Sequence, residues 1–140
     1  MKFRGEYAFL SNFFQLPEPI KYDTKSFNTV EHAYQYAKCL LGSDRLAVFM
    51  AETPSKAKRI GSKVKKVPDW NSKKYSVMLE LVRLKFSIPE LRTRLLNIEG
   101  TIVEENHWND TYWGVCNGVG QNNLGKILMT VRQECQLLGY

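Results

Sequence analysis

Apolar residues return at three- and four-residue intervals along most of this chain, in stretches parted by glycine, proline and polar clusters. That rhythm predicts helices. In NTVEHAYQYAKCLL, from Asn28 to Leu41, the residues Val30, Ala33, Tyr36, Ala37, Leu40 and Leu41 gather into one wide stripe at about 100° per residue. In this reading Asn28 caps the helix, Glu31 closes a capping box three residues later, and Gly42 stops it.

Ser43 caps a short helix over DRLAVFMAE, and Thr53 followed by Pro54 opens another, PSKAKRI, ending at Gly61. Asp69 caps the longest helix, where Tyr75, Met78, Leu79, Leu81, Val82 and Phe86 keep helical spacing until Pro89 ends the run. PELRTRLLN makes a shorter helix closed by Gly100, TIVEEN reads as a strand, and a last helix runs from about Leu124 to Leu138 after Asn122 and Asn123, either of which serves as its cap. Ahead of all these, RGEYAFLSNFFQLPEPIKYDTKSF mixes aromatics with turn-formers, and Pro17 and Pro19 forbid a regular helix there. The expectation is an α+β fold, mainly α-helical, in a single domain over residues 1–140 with a few short strands.

Composition agrees with a packed core: 44% of the residues are apolar and 12% aromatic, with only five prolines. The formal charge of +6 is uneven. Lys56, Lys58, Arg59, Lys63, Lys65, Lys66, Lys73 and Lys74 fall in one stretch opposed only by Asp69. Such a density attracts phosphates, nucleic acid or an anionic metabolite, and equally suits a solvated face. Three widely spaced cysteines, Cys39, Cys116 and Cys135, form neither a disulfide framework nor a paired-cysteine metal motif. Together with the lack of a secretory pattern or a membrane-length apolar run, they lead to the expectation of a cytoplasmic protein with reduced thiols and no membrane contact.

Beside the apolar stripe of the Asn28 to Leu41 helix, Glu31, Gln35 and Lys38 share one face. Spacing alone favours a solvated line, because an acid in the first turn and a lysine in the last also suit the helix dipole. His32 points about 100° away from Glu31, and His107 has no cysteine or histidine at ligand spacing, so no metal or other cofactor is expected. The run GVCNGVGQNNLG, from Gly114 to Gly125, lets the backbone approach a ligand closely and leads into a helix start that suits phosphate, though tight turns alone account for it as well. Trp70 and Trp113 offer flat faces for stacking on a base, or belong to the core.

Four uncommon segments occur here in a familiar order: FLSNF (Phe9 to Phe13), VEHAYQYAK (Val30 to Lys38), WNSKKYSVMLELVRLKF (Trp70 to Phe86) and the long stretch from Ile102 to Arg132 that contains HWNDTYWGV and GQNNLGKILMTVR. On these the chain resembles the NADAR family, also called YbiA-like or DUF1768. The resemblance implies a YbiA-like, mainly helical domain that acts on N-glycosidic bonds of ribosides bearing phosphate. It further implies that Glu31 and Asp110 are the acidic site residues with Lys38 beside them. Asn12, Phe13, Gln35 and Trp70 are then substrate contacts, as are Tyr112, Trp113, Gly114, Asn123 and Gly125. Family members often carry a glycine after the Trp-Gly pair, whereas WGVCNG has Val115 and Cys116 there.

Breaking a glycosidic C–N bond builds positive charge on the ribose, so one carboxylate near the anomeric carbon and a second proton-handling group suit the reaction. This mechanism asks two acids from distant parts of the chain to meet across a sugar. Lys38 then orients a carboxylate, binds a phosphate, or attacks an opened sugar as an amine. The resemblance and the basic residues 56–74 favour removal of ADP-ribose from ADP-ribosylated guanine in nucleic acid or a guanosine nucleotide, with those lysines along the backbone. The alternatives are an N-glycosidase of phosphoribosylamino-pyrimidine riboflavin intermediates and a non-catalytic module that binds ADP-ribose or NAD.

Overall fold

In the computed structural model, which describes residues 1–140, the chain forms two compact units: Asn12–Lys85, and Met1–Ser11 together with Phe86–Tyr140. Helices predominate, with four short strands, so the α+β expectation holds.

The unit Asn12–Lys85 begins with an antiparallel hairpin of β1 (Ile20–Tyr22) and β2 (Lys25–Phe27), in which Ile20 faces Phe27 and Tyr22 faces Lys25. Its two turn residues, Asp23 and Thr24, both have positive φ, 50° and 65°, the mirror-image turn that matches strand twist. Helix α1 spans Val30–Lys38. Its cap is Thr29, one residue later than expected, whose hydroxyl oxygen accepts from the His32 N–H at 3.1 Å. Asn28, expected as the cap, lies one residue before it.

The helix also stops earlier than Leu41. Cys39 turns extended, and the chain pairs with a later segment: the Leu40 N–H donates to the Lys65 carbonyl at 2.9 Å and the Val67 N–H to the Lys38 carbonyl at 3.0 Å. Gly42, expected as a stop, instead opens α2 (Gly42–Phe49). Helix α3 (Pro54–Gly61) matches its prediction, with Thr53 accepting from the Lys56 N–H at 3.1 Å. Helix α4 (Trp70–Lys85) buries Trp70, Met78, Leu81 and Val82, while Tyr75 and Leu79 are half-buried. Helix α1 packs against α2, α3 and α4.

In the other unit a 3-10 helix (Gly5–Leu10) places Phe9 edge-on to Phe86 at 6.3 Å. Helix α5 (Pro89–Leu96) packs on α6 (Asn123–Leu137), and Leu91, Leu95, Ile127, Leu128 and Val131 fill its core. Of the expected TIVEEN strand only β3 (Glu105–Asn106) pairs, in parallel with β4 (Val115–Cys116). All three cysteines are buried and free, and burial raises the Cys39 and Cys135 thiols above the usual range. No helix is long and apolar enough to cross a membrane.

Candidate functional site

The polar line on α1 does not face water. Glu31 is only 7% exposed and Gln35 only 4%, and the Gln35 amide donates to Glu31 Oε2 at 2.6 Å. The solvated reading is overturned by α3, which crosses α1 on this face. Gly61 at the end of α3 lies against Gln35, where a Cβ would overlap Gln35 Oε1 outright. The same turn receives Lys38, whose ammonium donates to the Gly61 carbonyl at 3.2 Å and stands 5.9 Å above the Tyr34 ring.

Burial holds the Lys38 amine below its usual range; Glu31 opposes that shift, while Lys66 and Lys58 reinforce it. Gln35 Oε1 is buried without a hydrogen-bond partner, an uncommon state for such an atom. One buried carboxylate, one depressed amine and one orphaned amide oxygen thus share two turns of helix.

Other expected contacts gather at the same helix. The Glu31 N–H donates to the Asn12 carbonyl at 2.9 Å, which fixes Asn12 at the start of α1, and the Asn12 amide reaches Met78 Sδ at 3.5 Å. Phe13 is partly exposed, with the Lys58 ammonium 5.6 Å from its ring centroid. Trp70 is 5% exposed and packs on Tyr34 at 5.3 Å, so it backs Tyr34 as a wall. His32 is used structurally, with Nε2 at 2.6 Å from the Val48 carbonyl.

The late loop is organised by Asp110. Its Oδ1 accepts from the Tyr112 and Trp113 N–H groups at 3.1 and 2.9 Å, and the two rings stand perpendicular at 4.7 Å. The next turn is laced to the start of α6: the Asn123 N–H donates to the Tyr112 carbonyl and the Leu124 N–H to the Trp113 carbonyl. Those two helix-start donors, expected to suit a phosphate, are therefore occupied by protein carbonyls. Asn123 is buried and its amide donates to Gln121 Oε1 at 3.3 Å.

Gly114 and Gly125 are required by packing. A Cβ on Gly114 would overlap the Glu104 carboxylate, and one on Gly125 would overlap the Ile102 carbonyl. Both glycines therefore bring the backbone close to other protein atoms.

A family model for the NADAR domain matches residues 2–136. The chain belongs to the NADAR family. The N-glycosidase YbiA of Shigella boydii is 37% identical over 133 residues, which is 92% of this chain and 82% of that protein. The NMR structure of Escherichia coli YbiA superimposes with a TM-score of 0.86 at 33% identity, covering all of this NADAR chain and 88% of that one. A chloroplastic maize protein named for riboflavin biosynthesis, PYRR, is 35% identical over 127 residues, 80% of this chain but 20% of its own length.

Two polar residues of this NADAR chain escaped the sequence reading: Glu104 and Asn106, both buried. The signal was available in TIVEEN, where strand alternation puts Ile102, Glu104 and Asn106 on the same side. These three are buried, while Thr101 and Glu105 are exposed.

Proposed function

We propose that this chain hydrolyses the N-glycosidic bond of a ribosyl compound, with ADP-ribose attached to guanine in DNA or a guanosine nucleotide as its substrate. The observation that carries the reading is the buried Glu31 carboxylate, fixed by Gln35 two turns before a half-buried, depressed Lys38. A carboxylate so held cannot swing away, and it opposes the positive charge that grows on the ribose as the C–N bond breaks. The names of the YbiA relatives support the reaction class.

Glu31 stabilises the cationic sugar, and Asp110 handles the proton exchanged between water and the departing base. Lys38 binds an anionic substrate group or, in its neutral form, attacks an opened sugar. Asn12, Phe13, Gln35, Tyr112 and Trp113 contact substrate. Seven basic side chains between residues 56 and 74 are exposed, namely Lys56, Lys58, Arg59, Lys63, Lys65, Lys66 and Lys73, and they supply the affinity for a nucleic-acid backbone. The likeness to the maize riboflavin-biosynthesis protein favours a second reading, a small phosphoribosylamino-pyrimidine substrate.

The protein is incubated with ADP-ribosylated guanine DNA and, separately, with the phosphoribosylamino-pyrimidine, and products are read by mass spectrometry. Free ADP-ribose is expected from the first. Ribose 5-phosphate from the second alone selects the riboflavin reading, and tight calorimetric binding without product selects a non-catalytic module. Glu31→Gln keeps the size of the side chain and is expected to reduce turnover by at least ~100-fold, about 3 kcal/mol of transition-state stabilisation. An active Glu31→Gln protein that is properly folded rejects the assignment.

A further inference from the structure

We infer that Glu104 is a positioning residue for Asp110, acting through the side-chain amide of Asn106. The inference rests on the proposed role of Asp110 and adds the residues that hold it.

A carboxylate that is only 8% exposed is costly unless it is hydrogen-bonded. Glu104 Oε2 accepts from Asn106 Nδ2 at 2.8 Å. Its main chain is pinned on both sides: the N–H donates to Asn122 Oδ1 at 2.9 Å and the carbonyl accepts from the Val115 N–H at 2.8 Å. Asn122 in turn donates to the Ile102 carbonyl at 3.0 Å. Gly114 leaves the room this arrangement needs, since a Cβ there would overlap Glu104 Oε2 and stand 2.7 Å from Asn106 Nδ2.

The amide so fixed clamps Asp110 at both ends of its peptide frame. Asn106 Nδ2 also donates to the Asp110 carbonyl at 2.9 Å, and Asn106 Oδ1 accepts from the Asp110 N–H at 3.1 Å. An amide has two faces, and the carboxylate adds its acceptor to the two Asp110 main-chain groups that select one of them. Rotated by half a turn, Asn106 would set its oxygen against the Glu104 carboxylate and the Asp110 carbonyl, and its NH2 against the Asp110 N–H, so three favourable contacts become three repulsive ones. With Asp110 Oδ1 already occupied by two N–H groups, the frame directs the remaining oxygen, Oδ2. A side chain that only filled space at position 104 would remove one of the three contacts that set the amide's face and leave the clamp on Asp110 weaker.

The test compares the full-length wild type with Glu104→Gln, Glu104→Met, Asn106→Leu and the Glu104→Met/Asn106→Leu double variant. Two readouts are taken: hydrogen exchange at the Asp110 amide, measured without substrate, and steady-state kinetics on whichever riboside the wild type turns over. Glu104→Met and Asn106→Leu are each expected to speed Asp110 exchange by ~10- to 100-fold and to lower kcat by ~10- to 100-fold with KM within twofold. The double variant is expected to match the worse single one, because both act through one clamp.

Glu104→Gln keeps an acceptor of the same length and is expected to recover part of both losses; should Glu104→Met fail to fold, this variant carries the comparison. Unchanged Asp110 exchange in the Glu104 variants, or losses that multiply in the double variant, overturn the inference. If the wild type turns over no riboside, the activity reading fails while the exchange measurement still decides whether the clamp exists.

Discussion

Gly61→Ala is the substitution whose effect follows most directly from the geometry. Gly61 closes α3 and lies on Gln35; an alanine Cβ there would overlap Gln35 Oε1 and stand 2.8 Å from its Cδ and 3.2 Å from its Cβ. The amide carbon must retreat by roughly 0.6 Å to reach the 3.4 Å where ordinary contact begins, and Oε1 must move further. Gln35 is buried and its amide nitrogen is already committed to Glu31 at 2.6 Å, so the retreat breaks that bond.

Overpacking costs about 1–3 kcal/mol and a lost bond to a charged acceptor about 1.5–3, against which alanine contributes at most about 1 kcal/mol of helix propensity. A net loss of ~2–4 kcal/mol is expected, which lowers the melting temperature of a 140-residue chain by roughly 6–15 °C. Urea unfolding of Gly61→Ala, Gln35→Ala and the pair supplies the double-mutant cycle. Shortening Gln35 vacates the space the new methyl needs, so the pair is expected to be at least ~1 kcal/mol more stable than the two single losses add up to. If Gly61→Ala is neutral or stabilising, or if its cost is the same with Gln35 shortened, the steric account of this face is wrong.

Three further outcomes follow. Lys38 has a folded-state pKa below its ordinary value, so the folded protein binds fewer protons than the unfolded chain between that value and the ordinary 10.5; the burial penalty is fully present below the window and relieved as pH rises through it. The wild type is therefore expected to gain stability relative to Lys38→Met as pH climbs from 7 towards 10.5 in parallel denaturation series, and a difference that stays flat or reverses refutes the shift. Asp110→Asn retains an oxygen that accepts from Tyr112 and Trp113, so unfolding free energy is expected to change by less than ~1 kcal/mol while turnover falls by at least ~100-fold; equal turnover removes Asp110 from the mechanism. Thr24 is a β-branched residue at a φ of 65°, and Thr24→Gly is expected to raise the unfolding free energy from urea denaturation by about 0.5–1 kcal/mol; a loss of stability means the turn is not strained.

Local signals were enough to place most of the helices. Thr53 and Pro54 open α3, Gly61 ends it, and the spacing of Met78, Leu81 and Val82 marks the buried side of α4. These features depend on residues within a turn of each other, where caps, rigid φ angles and side-chain periodicity act without help from the rest of the fold. The boundaries at Lys38 and Gly42 were misread because the bridge between Leu40 and Lys65 spans more than twenty residues and outweighs the local preference for one more helical turn.

The chain's own motifs also carried its family, since FLSNF, VEHAYQYAK and the segment around NDTYWG are long words in a fixed order. Whether Glu31, Gln35 and Lys38 met water or protein was decided elsewhere. A polar line on a helix has the same spacing in either setting, and only the arrival of α3, with a glycine where any side chain would collide, took Glu31 and Gln35 out of water. Burial of a polar group depends on what the rest of the chain brings to it, so it belongs to the tertiary structure even when every residue involved is plain in the sequence.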